Sequence, residues 1–285
     1  IFMTEDDDGT SYYYRGSVEN NYVKFAGYYW RIIRINGNGS IRMIYDGTVA
    51  HDNGEASEDR EYGTSMFSTG LDDNMYVGYM YSSGNAHGLG TSSIIKTSND
   101  NFYTSKIVGY SNYIDTSSGF CGDRSSYNVI PGVGTGTVLT YYKTYTRFNR
   151  ATPSLKCNDS SDYYTVSSAS TGNKALTYPV GLITLDEIVF AGSGAGYYDR
   201  ADFNAPQNIN GYLMSGTDFW TISPSGYFNL FGFPSILAVI FSIGSGIIND
   251  TYPTIGQGLR PVVNLKSTLK FTGDGTKNNP YIPSL

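Results

Sequence analysis

Between Tyr227 and Ile248 the chain runs YFNLFGFPSILAVIFSIGSGII, twenty-two residues without a charge. About 20 apolar residues suffice to span a bilayer. The tract can therefore be a membrane helix, a buried core or an exposed contact surface. Composition weighs against the helix: Gly232, Pro234, Gly244 and Gly246 interrupt the tract, and Asn229, Ser235, Ser242 and Ser245 lie within it. The cations that usually flank a span are missing, since Arg200 is distant and Arg260 one-sided.

The whole chain is long enough, at 285 residues, to bury a large core in one domain or two. Charged residues make up 15%, against about 25% in an ordinary domain. Polarity comes instead from Ser, Thr, Asn, Gly and 27 tyrosines, which suits an extracellular protein making neutral hydrogen-bonded contacts. Net charge is −6, with Glu5, Asp6, Asp7 and Asp8 clustered near the start. That balance argues against nucleic acid and against an anionic membrane as partners. The two cysteines, Cys121 and Cys157, read as an oxidised pair in a secreted setting, or alternatively as two buried thiols. A bond closing that loop contributes about 3–4 kcal/mol by chain entropy. The chain opens at Ile1 without a signal peptide, and we read it as an ectodomain whose export signal or anchor has been removed.

Residues 1–20 read as an extended lead-in to a single domain spanning 21–285. Strands are expected at Tyr22–Phe25, Tyr28–Ile35 and residues 40–45, with Asn36-Gly37-Asn38-Gly39 as a hairpin turn supplying positive φ. Both faces of the 28–35 strand bear apolar groups, suggesting a half-buried sheet. Residues 46–91 read as loop with short helical turns. A helix is expected within 93–108, with Ile94, Ile95, Phe102 and Ile107 facing the core. Thr184-Leu185-Asp186-Glu187 fits a capping box opening a short helix. From Tyr212 onward the pattern is short strands and turns. The fold class is α+β, one domain with small antiparallel sheets, a few short helices and long irregular loops.

Catalytic signatures are sparse. The two histidines, His51 and His87, lack HExxH spacing, and no serine sits in a GxSxG elbow. His51 near Asp46 and Asp52 offers an acid–base group or, more simply, a solvated loop residue. The glycine runs 132–136 and 192–196 lack a Walker lysine and read as turns. Asp72, Asp73 and Asn74 offer oxygens to calcium but lack the EF-hand pattern, so a solvated turn is the simpler reading. No metal or cofactor is expected.

Phe219-Trp220-Thr221-Ile222-Ser223-Pro224-Ser225, a divergent stretch, and then Gly258-Leu259-Arg260-Pro261-Val262-Val263-Asn264-Leu265 resemble the frame of proteins diversified by retroelements. In that family a reverse transcriptase rewrites a short region near the C-terminus of a C-type-lectin-like domain, whose fold is similar to that of formylglycine-generating enzymes. Tyr14-Arg15-Gly16, Tyr29-Trp30-Arg31-Ile32-Ile33-Arg34-Ile35-Asn36-Gly37, Phe120-Cys121-Gly122-Asp123-Arg124 and Leu176-Thr177-Tyr178-Pro179-Val180-Gly181-Leu182-Ile183-Thr184 resemble secreted gut-bacterial members, some of them pilin-like. Adenine-directed rewriting of Asn codons cannot yield Lys, Glu, Gln, Met or Trp. Residues 226–256 contain none of the five, where the chain average would place roughly three. Calcium-binding lectin motifs of the WND or EPN kind are absent, so calcium-dependent sugar binding is not implied.

The resemblance implies a surface-displayed receptor or adhesin, not an enzyme, with a hypervariable region at about 226–257. Its partner would be an unknown protein or surface ligand, with pilus or envelope assembly through a missing N-terminal segment. Trp220, Arg260 and Pro261 would form the scaffold beneath. The ligand-binding face would draw on Tyr227, Phe228, Leu230, Phe231 and Phe233, then Ile236, Leu237, Phe241, Ile243, Ser245 and Ile247. It would continue through Asn249, Asp250, Thr251, Tyr252, Thr254 and Ile255. Exposed aromatics there would provide contact area at low entropic cost. Two alternatives stay open: an enzyme on the same fold, which would need a free thiol or titratable cluster, and an invariant pilus subunit.

Overall fold

The computed structural model describes residues 1–192, 210–229, 236–243 and 248–285, with backbone alone at 229, 236–243 and 249. Strand accounts for 30% and helix for 17%, so the class is α+β. An amino-terminal sheet runs in the order Phe2–Asp6, Gly9–Tyr13, Tyr28–Ile35, Ile41–Tyr45, Val262–Leu265, with Tyr22–Phe25 also paired to Tyr28–Ile35. The expected strands are present. The expected lead-in is not: residues 2–13 form a hairpin inside the sheet, its second strand pairing Tyr12 and Tyr13 with Ile35 and Arg34.

The expected turn after Ile35 is present, and of its two glycines one supplies the positive φ. Only Gly39 takes positive φ (+84°), while the Asn36 amide donates to Ser40 and the Gly39 amide to Asn36. Gly37 serves close approach instead. A Cβ there would lie 2.4 Å from the Gly9 nitrogen, and its amide donates to Asp6.

The inner strands of this sheet are buried on both faces, not one. Trp30, Ile32, Met43, Tyr45, Val263 and Leu265 face a cluster with Phe102, Tyr103 and Ile107. Ile33, Ile44 and Val262 face a second cluster with Phe120, Leu185, Trp220 and Ile222. The first cover comes from helix α1 (Ile94–Phe102), N-capped by Ser93 and continued through turns to Tyr113. Of its expected core residues, Ile95, Phe102 and Ile107 are buried and Ile94 is half-buried. Helix α2 covers Lys143–Asn149, and α3 covers Leu185–Phe190 with the expected capping box between Thr184 and Glu187.

The carboxy-terminal sheet corrects the expectation of short strands only. Phe219–Asn229 is an eleven-residue strand, flanked along one side by Ile236–Ile243 and then by the edge strand Ile248–Thr251. Its other side meets Gln257–Gly258 and Thr140–Tyr141. The register slips on both sides of Pro224, which has no amide to give the ladder. The described residues of the charge-free tract thus lie in antiparallel strands. Among the described residues no helix is long and apolar enough to cross a membrane.

Buried charge ties the two sheets together. Asp46 lies between three guanidiniums, 2.8 Å from Arg60, 2.8 Å from Arg260 and 4.0 Å from Arg31, and all four side chains are inaccessible. Removing one partner from such a set costs about 3–5 kcal/mol, because the remaining charges stay buried. Asp46→Asn should therefore lower the unfolding free energy by about that amount in urea titrations. Asp52→Asn, which touches only the exposed Asp52–Lys277 pair, should change it by less than about 1 kcal/mol.

Candidate functional site

The strand pattern sorts the expected recognition residues. Trp220, Arg260 and Pro261 are buried; the Trp220 indole donates to the Ser65 carbonyl at 2.6 Å and its ring meets Phe67 edge-on at 5.6 Å. Tyr227 was expected to reach outward, yet it is 0% exposed. The register slips on either side of Pro224 reverse the alternation and bring Tyr227 into one apolar cluster with Trp220 and Ile222. Phe228 is half-buried. Its ring lies over Gly226, where a Cβ would meet it at 2.3 Å, and packs on Tyr141 and Tyr145 at 5.1 and 6.3 Å.

Asp250, Thr251 and Thr254 are half-buried, while Tyr252 and Ile255 are exposed. Burial raises the Asp250 carboxyl above its ordinary value, and Ser225 Oγ lies 3.4 Å from it. Ile236, Leu237, Phe241, Ile243 and Asn249 occupy paired strand positions. Leu230, Phe231, Phe233, Ser245 and Ile247 lie outside the described residues.

A second feature, with no counterpart in the sequence reading, is a narrow charged crevice with a cavity volume of about 30 Å³. Asp6, Asp7 and Asp8 from the first hairpin form one wall, and Arg34, Arg42 and Glu187 the floor. A β-bulge at Ile33 sets Arg34 opposite Arg42 across the ladder, two like charges that would repel. Glu187 Oε1 receives both, at 2.9 and 2.6 Å, while Oε2 accepts the Thr184 amide of the capping box. Asp6 takes the rest of Arg34 at 2.7 Å. Arg147 on α2 is held by Asp123 and Asp186, each at 2.7 Å. Every guanidinium lining the crevice already has a carboxylate, so it has no uncommitted arginine with which to receive an anion.

Disulfide Cys121–Cys157 closes this region, and both cysteines of the chain are in it. The Cys157 amide donates to Asp7, pinning the first hairpin. Asp7 and Asp8 titrate above the usual carboxylate range, chiefly through burial and next through neighbouring acids, with the Cys157 bond partly opposing the shift at Asp7.

The histidines are structural partners. His51 was read as solvated, but it is buried with Nδ1 2.9 Å from Glu55 and Nε2 2.9 Å from Asp59. His87 lies 2.9 Å from Asp162, whose hydrogen bond raises its pKa, and Asp162 also binds Arg124. In the turn 72–74, read as solvated, Asp73 caps the following 3-10 turn and Asn74 is instead buried, donating to the Gly136 and Val138 carbonyls. Gly132, Gly134 and Gly136 take positive φ in that same loop, as turn glycines do. Of the second glycine run only Gly192 is described. Among the described residues no group of three or more His, Cys, Asp or Glu is arranged to hold a metal ion.

No family model, curated protein or solved structure matches this chain.

Glu187 gives a pH test. Burial opposes its charge, but Arg42, Arg34 and the Thr184 amide outweigh that and lower its pKa below the reference 4.5. A carboxyl lowered on folding stabilises the fold above its unfolded value, and that contribution is lost as pH falls through the folded value. Glu187→Gln should lower Tm at pH 7 and give a shallower decline than wild type below about pH 4.5 in thermal scans. Parallel declines would remove Glu187 from the acid response.

Proposed function

We propose that this protein is a non-catalytic recognition protein of the retroelement-diversified kind, displayed at a cell surface. In this reading a C-type-lectin-like scaffold presents residues of about 226–257 to a protein or surface ligand. The observation supporting it most is the placement of that segment. The stretch free of Lys, Glu, Gln, Met and Trp supplies the outer strands Ile236–Ile243 and Ile248–Thr251 and the exposed Tyr252 and Ile255. Ladder hydrogen bonds use main-chain groups alone, so such strands tolerate exchange of outward side chains. The framework around them is held by Trp220 and Arg260, whose partners lie elsewhere in the chain.

The disulfide is compatible with an extracellular setting. It also occupies both thiols, which the alternative of cysteine-based chemistry on this fold would require. Ion-paired arginines and carboxylate-bound histidines serve as internal struts.

The reading is tested by sequencing the coding region from sibling isolates of the source population. Differences concentrated in codons 226–257, at adenine positions and sparing Trp220 and Arg260, are expected. Uniform sequence across that region would overturn diversification and favour an invariant assembly subunit.

A further inference from the structure

We propose that the loop between Ser126 and Tyr142 is a lipid-contact loop, whose apolar tip enters the interfacial layer of an anionic membrane surface. Val129 is 94% exposed, and Tyr127, Ile130 and Leu139 are exposed beside it. Pro131 is exposed as well. Apolar side chains on a loop ordinarily fold back against the body to leave water. Here the backbone prevents it.

The Tyr127 amide donates to the Tyr141 carbonyl, Asn128 Nδ2 to Leu139, and the Tyr141 amide to Asn128 Oδ1, closing the neck at 2.6–2.9 Å. Beneath, buried Asn74 donates to Gly136 and Val138 and accepts from Tyr142 Oη. The tip is therefore held out by the Tyr127–Tyr141 main-chain bond and by the side chains of Asn128 and Asn74, not by its apolar side chains.

Charge selects the occupant. The chain carries −6 overall, but residues 125–158 hold no carboxylate and four cations, Lys143, Arg147, Arg150 and Lys156. Arg147 is spent on Asp123 and Asp186. Lys143 and Arg150 are exposed behind the tip. The Arg150 guanidinium lies 5.2 Å from the Tyr127 ring centre and donates to its hydroxyl at 3.0 Å. The carboxylates brought near by the loop's contacts are Asp72 and Asp73, which adjoin Asn74 and of which Asp73 is engaged by the Met75 amide, and Asp123, which accepts the Ser125 amide and is paired with Arg147. An apolar tip with a tyrosine and cations one layer behind it matches the order of acyl chain, interface and anionic headgroup. A protein partner would not require this layering. The proposal is independent of whether residues 226–257 are diversified.

The test is co-sedimentation of the full chain with vesicles of phosphatidylcholine and phosphatidylglycerol, and with vesicles of phosphatidylcholine alone. Wild type should sediment with the mixed vesicles, less with the neutral ones, and release as salt rises. Val129→Asp with Ile130→Asp should cut binding about tenfold or more. Lys143→Glu with Arg150→Glu should reduce mixed-vesicle binding to the neutral-vesicle level. Thermal scans check that the variants stay folded, as substitution at exposed positions allows. Failure of wild type to bind mixed vesicles, or equal binding by Val129→Asp/Ile130→Asp, would overturn the proposal. So would a dimer in sedimentation velocity that this double variant dissolves while vesicle binding is absent.

Discussion

Three arginines around one buried aspartate set the frame on which the remaining architecture depends. Arg31 comes from the central strand of the first sheet, Arg60 from a short turn, Arg260 from the entry to the last strand of that sheet, and Asp46 follows the strand between them. One carboxylate does not neutralise three cations. The balance is met by dipoles and rings: Arg60 reaches the Glu55, Tyr212 and Met214 carbonyls, and Arg260 those of Tyr45 and Leu213. Arg31 lies 3.8 Å over the Tyr22 ring and 5.4 Å from that of Tyr212. Burial still pulls the Arg260 pKa down to about 10, so it stays charged at neutral pH. Because the carbonyls of 212–214 are claimed, the chain enters the strand Phe219–Asn229 at a fixed position. Burial of this kind adds specificity of arrangement more readily than stability.

The same economy explains the surface. Arg31, Arg42, Arg60, Arg124 and Arg260 are all in the interior, so a chain already low in charge presents still fewer cations to water. What remains outside is largely hydroxyl, amide and tyrosine. Such a surface offers shape and neutral hydrogen-bonding groups, which suits the proposed role. It also makes the acid-free run 125–158 stand out locally, although net charge, an average over the whole chain, conceals it.

Much of the first sheet was legible in the sequence because β-branched runs and the Asn-Gly turn are local signals. The capping box at Thr184 was legible for the same reason. The buried charge was not, because its partners are far apart: Arg260 and Asp46 are 214 residues apart, and Arg34 and Glu187 are 153 apart. One clue was available. Arg31 and Arg34 interrupt an otherwise apolar strand, and a charge on a strand apolar on both faces has to be paired within the protein. The error at Tyr227 has a different source. Nothing local marks the register slips around Pro224 that carry Tyr227 into the cluster of Trp220 and Ile222. His51 was misjudged because Glu55 and Asp59, which enclose it, reach it through a turn that composition alone read as solvated loop.

The burial that corrected Tyr227 also divides the proposed variable segment. Tyr227 and Ile248 are buried in the same cluster as Trp220 and Ile222. Their side chains are therefore part of the scaffold even though they lie within the segment. Gly226 is fixed for another reason, since any Cβ would displace the Phe228 ring from its place over the backbone. Tyr252 and Ile255, past the edge strand, carry no such constraint. The strand Thr140–Tyr141 pairs with Gly226 and Tyr227, so the neck of the apolar loop and the first residues of the segment share one ladder. A diversifying process that leaves this fold intact must spare Gly226, Tyr227 and Ile248 while changing the exposed positions. The physical boundary of variation is then drawn by burial, residue by residue, inside the charge-free tract itself.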